Sequence, residues 1–381
     1  MRNQTLDVLR SIAVLLVFSR HSKGAPILSH LGWVGVDLFF VLSGFLVSGL
    51  LFREYRQAGQ IRPGRFLIRR GFKIYPQFYV LTGVTVAITL LGRGPLSPLT
   101  VAAEIAFFQN YTSGLWAHTW SLAVEEHFYL LLTLGLALLA RRGGNDPFRS
   151  LPRWILGSCV LILGLRIATW YWHPQSSDYI HVFPSHLRMD SLLWGVLLSY
   201  LSVFRPADVG RFMERFAKWL PQLSILLLSP VAFLEQSHPF IYTLGFSMVA
   251  VSFALLLLSA LHPLKSPAKS GVAVRAFSQL GQASYAFYLW QGPVLFAGVR
   301  LKTYCTAQGI AIPAIVNLVL TLGATLAAAF LTTWLVERPF LKLRDRLFPS
   351  RLAAPLVAEA QVHVSPATIE IAASAYGTAP Q

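Results

Sequence analysis

The chain has 381 residues, 55% of them hydrophobic and only 13% charged, with a formal net charge of +16. Soluble domains carry about 25% charged residues, so this composition excludes an ordinary soluble protein and marks a multi-pass membrane protein. The basic excess does not point to nucleic acid, because the cations fall mainly in alternate short loops between apolar runs rather than in one patch.

A membrane span needs about 20 mostly apolar residues. Ten are read in chain order, at roughly 6–23, 33–52, 74–92, 118–140, 154–172, 187–204, 220–235, 240–262, 280–298 and 312–335. The runs are long and continuous, so helices are the expected spanning form. The first span is the least apolar. Residues 99–110 are amphipathic and are expected to lie along the membrane. Residues 53–73 hold seven cations and read as a polar loop, while 141–153 and 205–218 hold four each, 263–279 three and 338–351 five. By the positive-inside rule these segments and both termini face the cytoplasm. The expected fold class is therefore an all-α integral membrane protein, a bundle of about ten transmembrane helices. Residues 1–348 form its membrane domain, and 349–381 read as a disordered cytoplasmic tail. No separate soluble domain and no internal repeat is visible. Arg20-His21-Ser22-Lys23 is a poor cleavage site, so the N-terminal run is not read as a signal peptide. Cys159 and Cys305 are expected on opposite sides and imply no disulfide.

The informative residues are ionisable groups inside apolar runs, which are costly in lipid and point to function. In the first span, Asp7 and Arg10 precede His21. Eleven residues at 100° each bring Arg10 and His21 to nearly one helix face, about 16.5 Å apart along the axis. His21, with an ordinary pKa near 6.5, suits a general base. Arg20 reads as a snorkelling interfacial charge. Asp37 begins the second span at a depth that allows it to meet His21. Ser43 and Gly44 follow, and close helix packing is a sufficient reason for both. Arg69, Arg70 and Lys73 serve equally as a membrane anchor or as a phosphate site. The fourth span opens with Trp120 and Ser121, then Glu125, Glu126 and His127. Adjacent carboxylates diverge by 100°, so only one of them faces a shared site. Trp120 and Tyr129 also suit interfacial aromatics. Arg188 and Asp190 open the sixth span and read as a buried pair or a polar cavity lining. His173, His181 and His186 lack compact metal-ligand spacing. Tyr285 and Glu337 lie in later polar motifs.

In order, these segments resemble the acyltransferase-3 family of multi-pass bacterial membrane acyltransferases. That family shows an Arg, ten residues, then His, here Arg10 and His21. Its Gly-Val-Asp-Leu-Phe-Phe-Val-Leu-Ser-Gly-Phe stretch matches residues 35–45 without a change, and its Trp-Ser-Leu-x-Val-Glu-Glu-x-Phe-Tyr stretch matches 120–129. Its Arg-x-Asp matches 188–190, its Ser-Tyr-x-x-Tyr-Leu 284–289 and its Glu-x-Pro 337–339. The resemblance covers about residues 6–341. Two departures stand out. The usual Arg-x-x-Arg becomes Arg70-x-x-Lys73, which keeps charge but loses a planar fork. A His common in the ninth span is Gln291 here. Some relatives carry a periplasmic hydrolase-like domain that is not seen in this chain.

The resemblance implies an inner-membrane O-acyltransferase taking an acyl group, chiefly acetyl, from cytoplasmic acyl-CoA to a sugar hydroxyl of a surface polysaccharide or other glycan. It implies no bound cofactor; its partners are the donor, a glycan or glycolipid acceptor and the bilayer. His21 is the expected base, with Glu125 or Asp37 orienting it. Arg10, Arg69, Arg70 and Lys73 are expected to hold the donor. Ser43, Trp120, Ser121, Glu126, Arg188, Asp190, Tyr285 and Glu337 are expected around the substrates. A covalent route through Ser43, Ser121 or His21 stays open. So does a transporter of a glycolipid or proton-coupled solute, since buried charges also suit proton relays.

Overall fold

The computed structural model describes residues 3–22, 26–261 and 271–349, so the expected tail lies, but for Pro349, outside the described residues. These residues are predominantly helical and contain no strand. In chain order the helices are α1 Gln4–Ser22, α2 Pro26–Leu31, α3 Val34–Ala58, α4 Pro63–Leu91, α5 Pro98–Ile105, α6 Trp120–Ala140, α7 Leu151–Trp172 and α8 Asp178–His181. They continue with α9 Met189–Phe204, α10 Pro206–Phe216, α11 Leu220–Phe233, α12 Phe246–Leu261, α13 Val272–Gln282, α14 Ser284–Ala307, α15 Ala314–Thr332 and α16 Arg338–Leu347. A π-wound turn, Thr333–Glu337, joins α15 to α16.

Each of the ten expected segments is helical. By length and apolarity six helices qualify alone as spans, or seven if α9 and α10, bent by 109°, count as one. α1 and α14 are not among those six. The basic segment 53–73 is not a loop. α3 runs on to Ala58, and Gly59, at φ 67°, ends it by donating its N–H to the Tyr55 carbonyl. Pro63 then starts α4 at a position where its missing N–H costs nothing.

α3 is the hub and packs on α1, α6, α9 and α12. Its contact with α9 is the most extensive in the bundle. A Cβ added at Gly44 would lie 2.0 Å from the Leu192 carbonyl oxygen, and one at Gly195 would lie 2.1 Å from that of Val41. Each backbone occupies the place of the other's missing side chain, the usual way that small residues bring apolar helices together. Gly44 is therefore a packing residue, as one reading of the sequence had it.

Four fully buried charges fix the middle of this hub. Arg188 places Nη2 2.8 Å from both oxygens of Asp37, and Ser191 donates to Asp37 at 2.7 Å. Arg166, on α7, donates to Asp190 at 2.5 Å, to Ser247 at 2.9 Å and to the Leu187 carbonyl at 2.7 Å. The Arg188 guanidinium also lies 3.7 Å over the Phe246 ring. This corrects two expectations. Arg188 and Asp190 do not pair with each other, because residues two apart on a helix point in nearly opposite directions. Asp37 serves Arg188 and not His21, since Arg188 and Ser191 occupy both of its oxygens.

Two outcomes follow for melting in detergent. Gly44→Ala pushes α3 and α9 apart and is expected to cost about 1–3 kcal/mol, whereas Gly135→Ala, with open space around the added Cβ, leaves the midpoint unchanged or slightly raised. Asp37→Asn strands a buried cation and is expected to cost about 3–5 kcal/mol; the apolar pair Asp37→Leu with Arg188→Met recovers most of that loss.

Candidate functional site

A cavity of about 690 Å³ opens at the end of the bundle that carries the basic segments. α1 contributes Arg10 to it, α3 contributes Ser43, and α4 contributes Arg70 and Lys73. α6 adds Ser121 and Glu125, α14 adds Tyr285 and Tyr288, and Glu337 enters from the π-wound turn. Eight of the expected site residues thus line one cavity, together with Tyr288.

Their hydrogen bonds set their positions. Arg70 donates to the Tyr129 hydroxyl at 2.5 Å and lies 4.4 Å over the same ring, while Ser43 bonds that hydroxyl from α3. Tyr129 and Trp120 are therefore buried structural aromatics rather than interfacial ones; Trp120 stacks on Phe183 at 5.0 Å. Lys73 pairs with Glu337, whose other oxygen accepts from Gln77 at 2.9 Å. Tyr285 donates to the Ile74 carbonyl at 2.7 Å. A tyrosine hydroxyl has one proton, so Tyr288 gives it to the His118 carbonyl at 2.5 Å and accepts from Ser121 at 2.6 Å. Glu125 lies within electrostatic range of Arg70, Tyr129 and Tyr288. Buried Arg70 Nε has no partner among the described residues.

Other expected site residues lie outside this cavity. Glu126 turns away from the cavity and accepts from Tyr75 at 3.0 Å, as the 100° divergence from Glu125 requires. Arg69 is spent on Asp345 at 3.3 Å and on the Phe348 carbonyl. Asp37, Trp120, Arg188 and Asp190 belong to the packed hub. His21 is exposed at the far end of α1 and is not a lining residue.

Three residues were not foreseen. His118 is buried, contacts the Leu289 carbonyl through Nε2 at 3.1 Å and lies within electrostatic range of His21. A carbonyl only accepts, so Nε2 carries the proton. The His118 ring fills the space beside Gly292, where a Cβ would meet it at 2.3 Å. The signal was its place two residues before Trp120. Arg338 and Arg344 line the cavity mouth and were counted only as inside charges. Gln291, noted in the sequence as a departure from the family pattern, is fully buried, and neither of its amide atoms has a partner among the described residues.

The segment leading into α6 is braced from α5. Buried Glu104 accepts from Thr119 at 2.8 Å and from the Leu115 N–H at 2.9 Å. Burial raises its pKa above the ordinary 4.5, and those two bonds only partly oppose the rise. A raised carboxyl favours the folded state when protonated, so its contribution is fullest below the ordinary value and is lost as pH rises through the folded one. The wild-type melting midpoint, relative to that of Glu104→Gln, is expected to fall as pH rises from 4.5.

Comparison with known proteins adds the following. The family described as an acyltransferase domain, acyltransferase-3, matches residues 3–334. Peptidoglycan O-acetyltransferase OatA of Listeria monocytogenes is 27% identical over 368 residues, which is 89% of this chain and 56% of its own length. O-acetyltransferase OatA of Staphylococcus aureus strain NCTC 8325 is 28% identical over 314 residues, covering 76% of this chain and 50% of its own length. The chain thus spans about half the length of the curated relatives it matches. No solved structure matches it.

Proposed function

The chain belongs to the acyltransferase-3 family, and from that premise we propose that it is a membrane O-acyltransferase moving an acyl group, most simply acetyl, from acyl-CoA to a sugar hydroxyl. The observation that carries this reading is the charge of the cavity. Five cations, Arg10, Arg70, Lys73, Arg338 and Arg344, face two carboxylates, Glu125 and Glu337. An excess of cations inside low-dielectric walls favours a polyanion, and the nucleotide end of acyl-CoA is one.

In this reading all ten helical segments cross the bacterial inner membrane, α9 and α10 as one bent crossing, and both termini lie in the cytoplasm. α1 and α14 cross as well, with Asp7, Ser11 and Gln291 turned into the bundle. The donor enters from the basic end, with its phosphates on Arg70, Lys73 and the cations of the mouth and its arm passing Arg10. The acceptor is a glycan or glycolipid hydroxyl at the opposite face. The listerial relative's name gives peptidoglycan as one such acceptor, and a cell-surface polysaccharide is the class we assign.

His21 takes the proton from the acceptor hydroxyl as its oxygen attacks the thioester carbonyl. The new C–O bond forms, the C–S bond breaks, and the departing thiolate recovers the proton from the imidazolium. Glu125 is the carboxylate we retain for stabilising that imidazolium, Asp37 being committed to Arg188. No bound cofactor enters the reaction.

The test is CoA release by the purified chain from acetyl-CoA, with and without a glycan extract. Acceptor-dependent release is expected, with His21→Ala lowering kcat by about 10²–10⁴-fold. Arg10→Ala is expected to raise the donor KM instead. Unchanged turnover in a folded His21→Ala protein overturns the base assignment, and acceptor-dependent transport without CoA release favours a carrier.

A further inference from the structure

We infer that α16 is part of the donor site: Arg338 and Arg344 bind the nucleotide phosphates and give the cavity its preference for CoA over the bare pantetheine arm. The inference rests on the donor reading above and assigns the end of the donor that α16 would recognise.

The argument starts from the helix period. α16 carries four cations, Arg338, Lys342, Arg344 and Arg346. An anchor of inside-facing charges has no need of one face, and all four serve it equally. Only Arg338 and Arg344 line the cavity, together with Leu341 and the preceding Glu337. At 100° per residue these four positions fall within a stripe of about 120°, and Lys342 and Arg346 fall outside it. Two of the four cations are thus turned inward as a set.

The second observation is how the neighbouring arginines are used. Arg69 was expected on the phosphates, but Asp345 and the Phe348 carbonyl take its guanidinium. That contact docks α16 on the start of α4, and Arg65 adds a bond to the Pro349 carbonyl. Asp345 also receives Arg344 Nε at 2.9 Å and Nη2 at 3.0 Å, which orients the Arg344 guanidinium. Its Nη1 has no protein partner among the described residues. Arg69 is thus a positioning residue and Arg344 the phosphate contact. Farther in, Lys73 is paired with Glu337, while Arg69 and Arg344 share the single carboxylate of Asp345, so cations remain in excess at the mouth. Arginine forks suit phosphate oxygens, and each such contact is charge-assisted.

The experiment is titration of CoA and of pantetheine into the full chain in detergent micelles, read by calorimetry. The wild type is expected to bind CoA at least tenfold more tightly than pantetheine. Arg338→Ala and Arg344→Ala are each expected to weaken CoA by roughly tenfold while leaving pantetheine unchanged. Lys342→Ala and Arg346→Ala, off the stripe, leave both affinities unchanged. Ligand-free melting is measured for each protein, and Arg→Gln variants replace any alanine variant that fails to fold. An unaltered preference for CoA in the folded Arg338, Arg344 double variant overturns the inference while the donor reading stands. A wild type that binds neither probe overturns both.

Discussion

The constraint on which this bundle depends is the neutralisation of two arginines inside an apolar interior. Arg166 and Arg188 are each about 1% exposed, and Asp190 and Asp37 are their counter-charges. A buried ion deprived of its partner costs several kcal/mol, whereas a satisfied pair is close to neutral against apolar residues. The network therefore does little for net stability, and its effect is to tie helices together through charges that must be paired. Asp37 is on α3, Arg166 on α7, and Arg188 and Asp190 at the start of α9, so the two pairs join these three helices. Gly44 and Gly195 tighten the same contact farther along. With α3 held in rotation at two places, Val36, Phe39, Phe40 and Ser43 are presented together to the cavity.

The cavity follows the opposite rule. In the hub every charge has its counter-charge, whereas in the cavity the cations outnumber the carboxylates. In the proposed reading the phosphates of the donor would offset that imbalance. The two ionic systems sit on the same helix, α3, with Asp37 facing one and Ser43 the other. Six residues separate them, or about 9 Å of rise. A change that frees Asp37 from Arg188 therefore disturbs the cavity wall without touching a cavity residue.

The apolar segments were legible because hydropathy alone drives insertion, and all ten proved helical. Their ends were not. Residues 53–73 are rich in arginine, which lowers hydropathy without lowering helix propensity, so α3 and α4 run on where a loop was expected. Membership of the site was largely legible from motif residues such as Arg10, Arg70, Glu125 and Glu337. Partnership was not, because pairing is a tertiary property. Arg188 and Asp190 look paired in the sequence and turn to different helices in the fold, and the partner of Asp190 is Arg166, one cation within an apolar run. Arg338 and Arg344 were hidden by a second cause: the positive-inside rule explains every cation in a basic segment equally well, so it cannot distinguish those that face a cavity.

What connects the two ends of the proposed reaction is Tyr288. It lines the cavity, yet its hydroxyl proton is given to the His118 carbonyl, and its ring lies 5.6 Å edge-on from the His118 ring and 6.2 Å edge-on from Phe39. His118 in turn neighbours His21. The far end of the cavity is thus a partition built from one tyrosine hydroxyl with two bonds, and Ser121 is the cavity-side member of that pair. In the proposed reading, an acyl group arriving from the basic end would meet this hydroxyl pair before the imidazole of His21. In the proposed direct transfer, Tyr288 would exchange its bonds to Ser121 and the His118 carbonyl for bonds to the substrates. The brace from Glu104 to Thr119 fixes the start of α6, next to the His118 carbonyl that Tyr288 bonds.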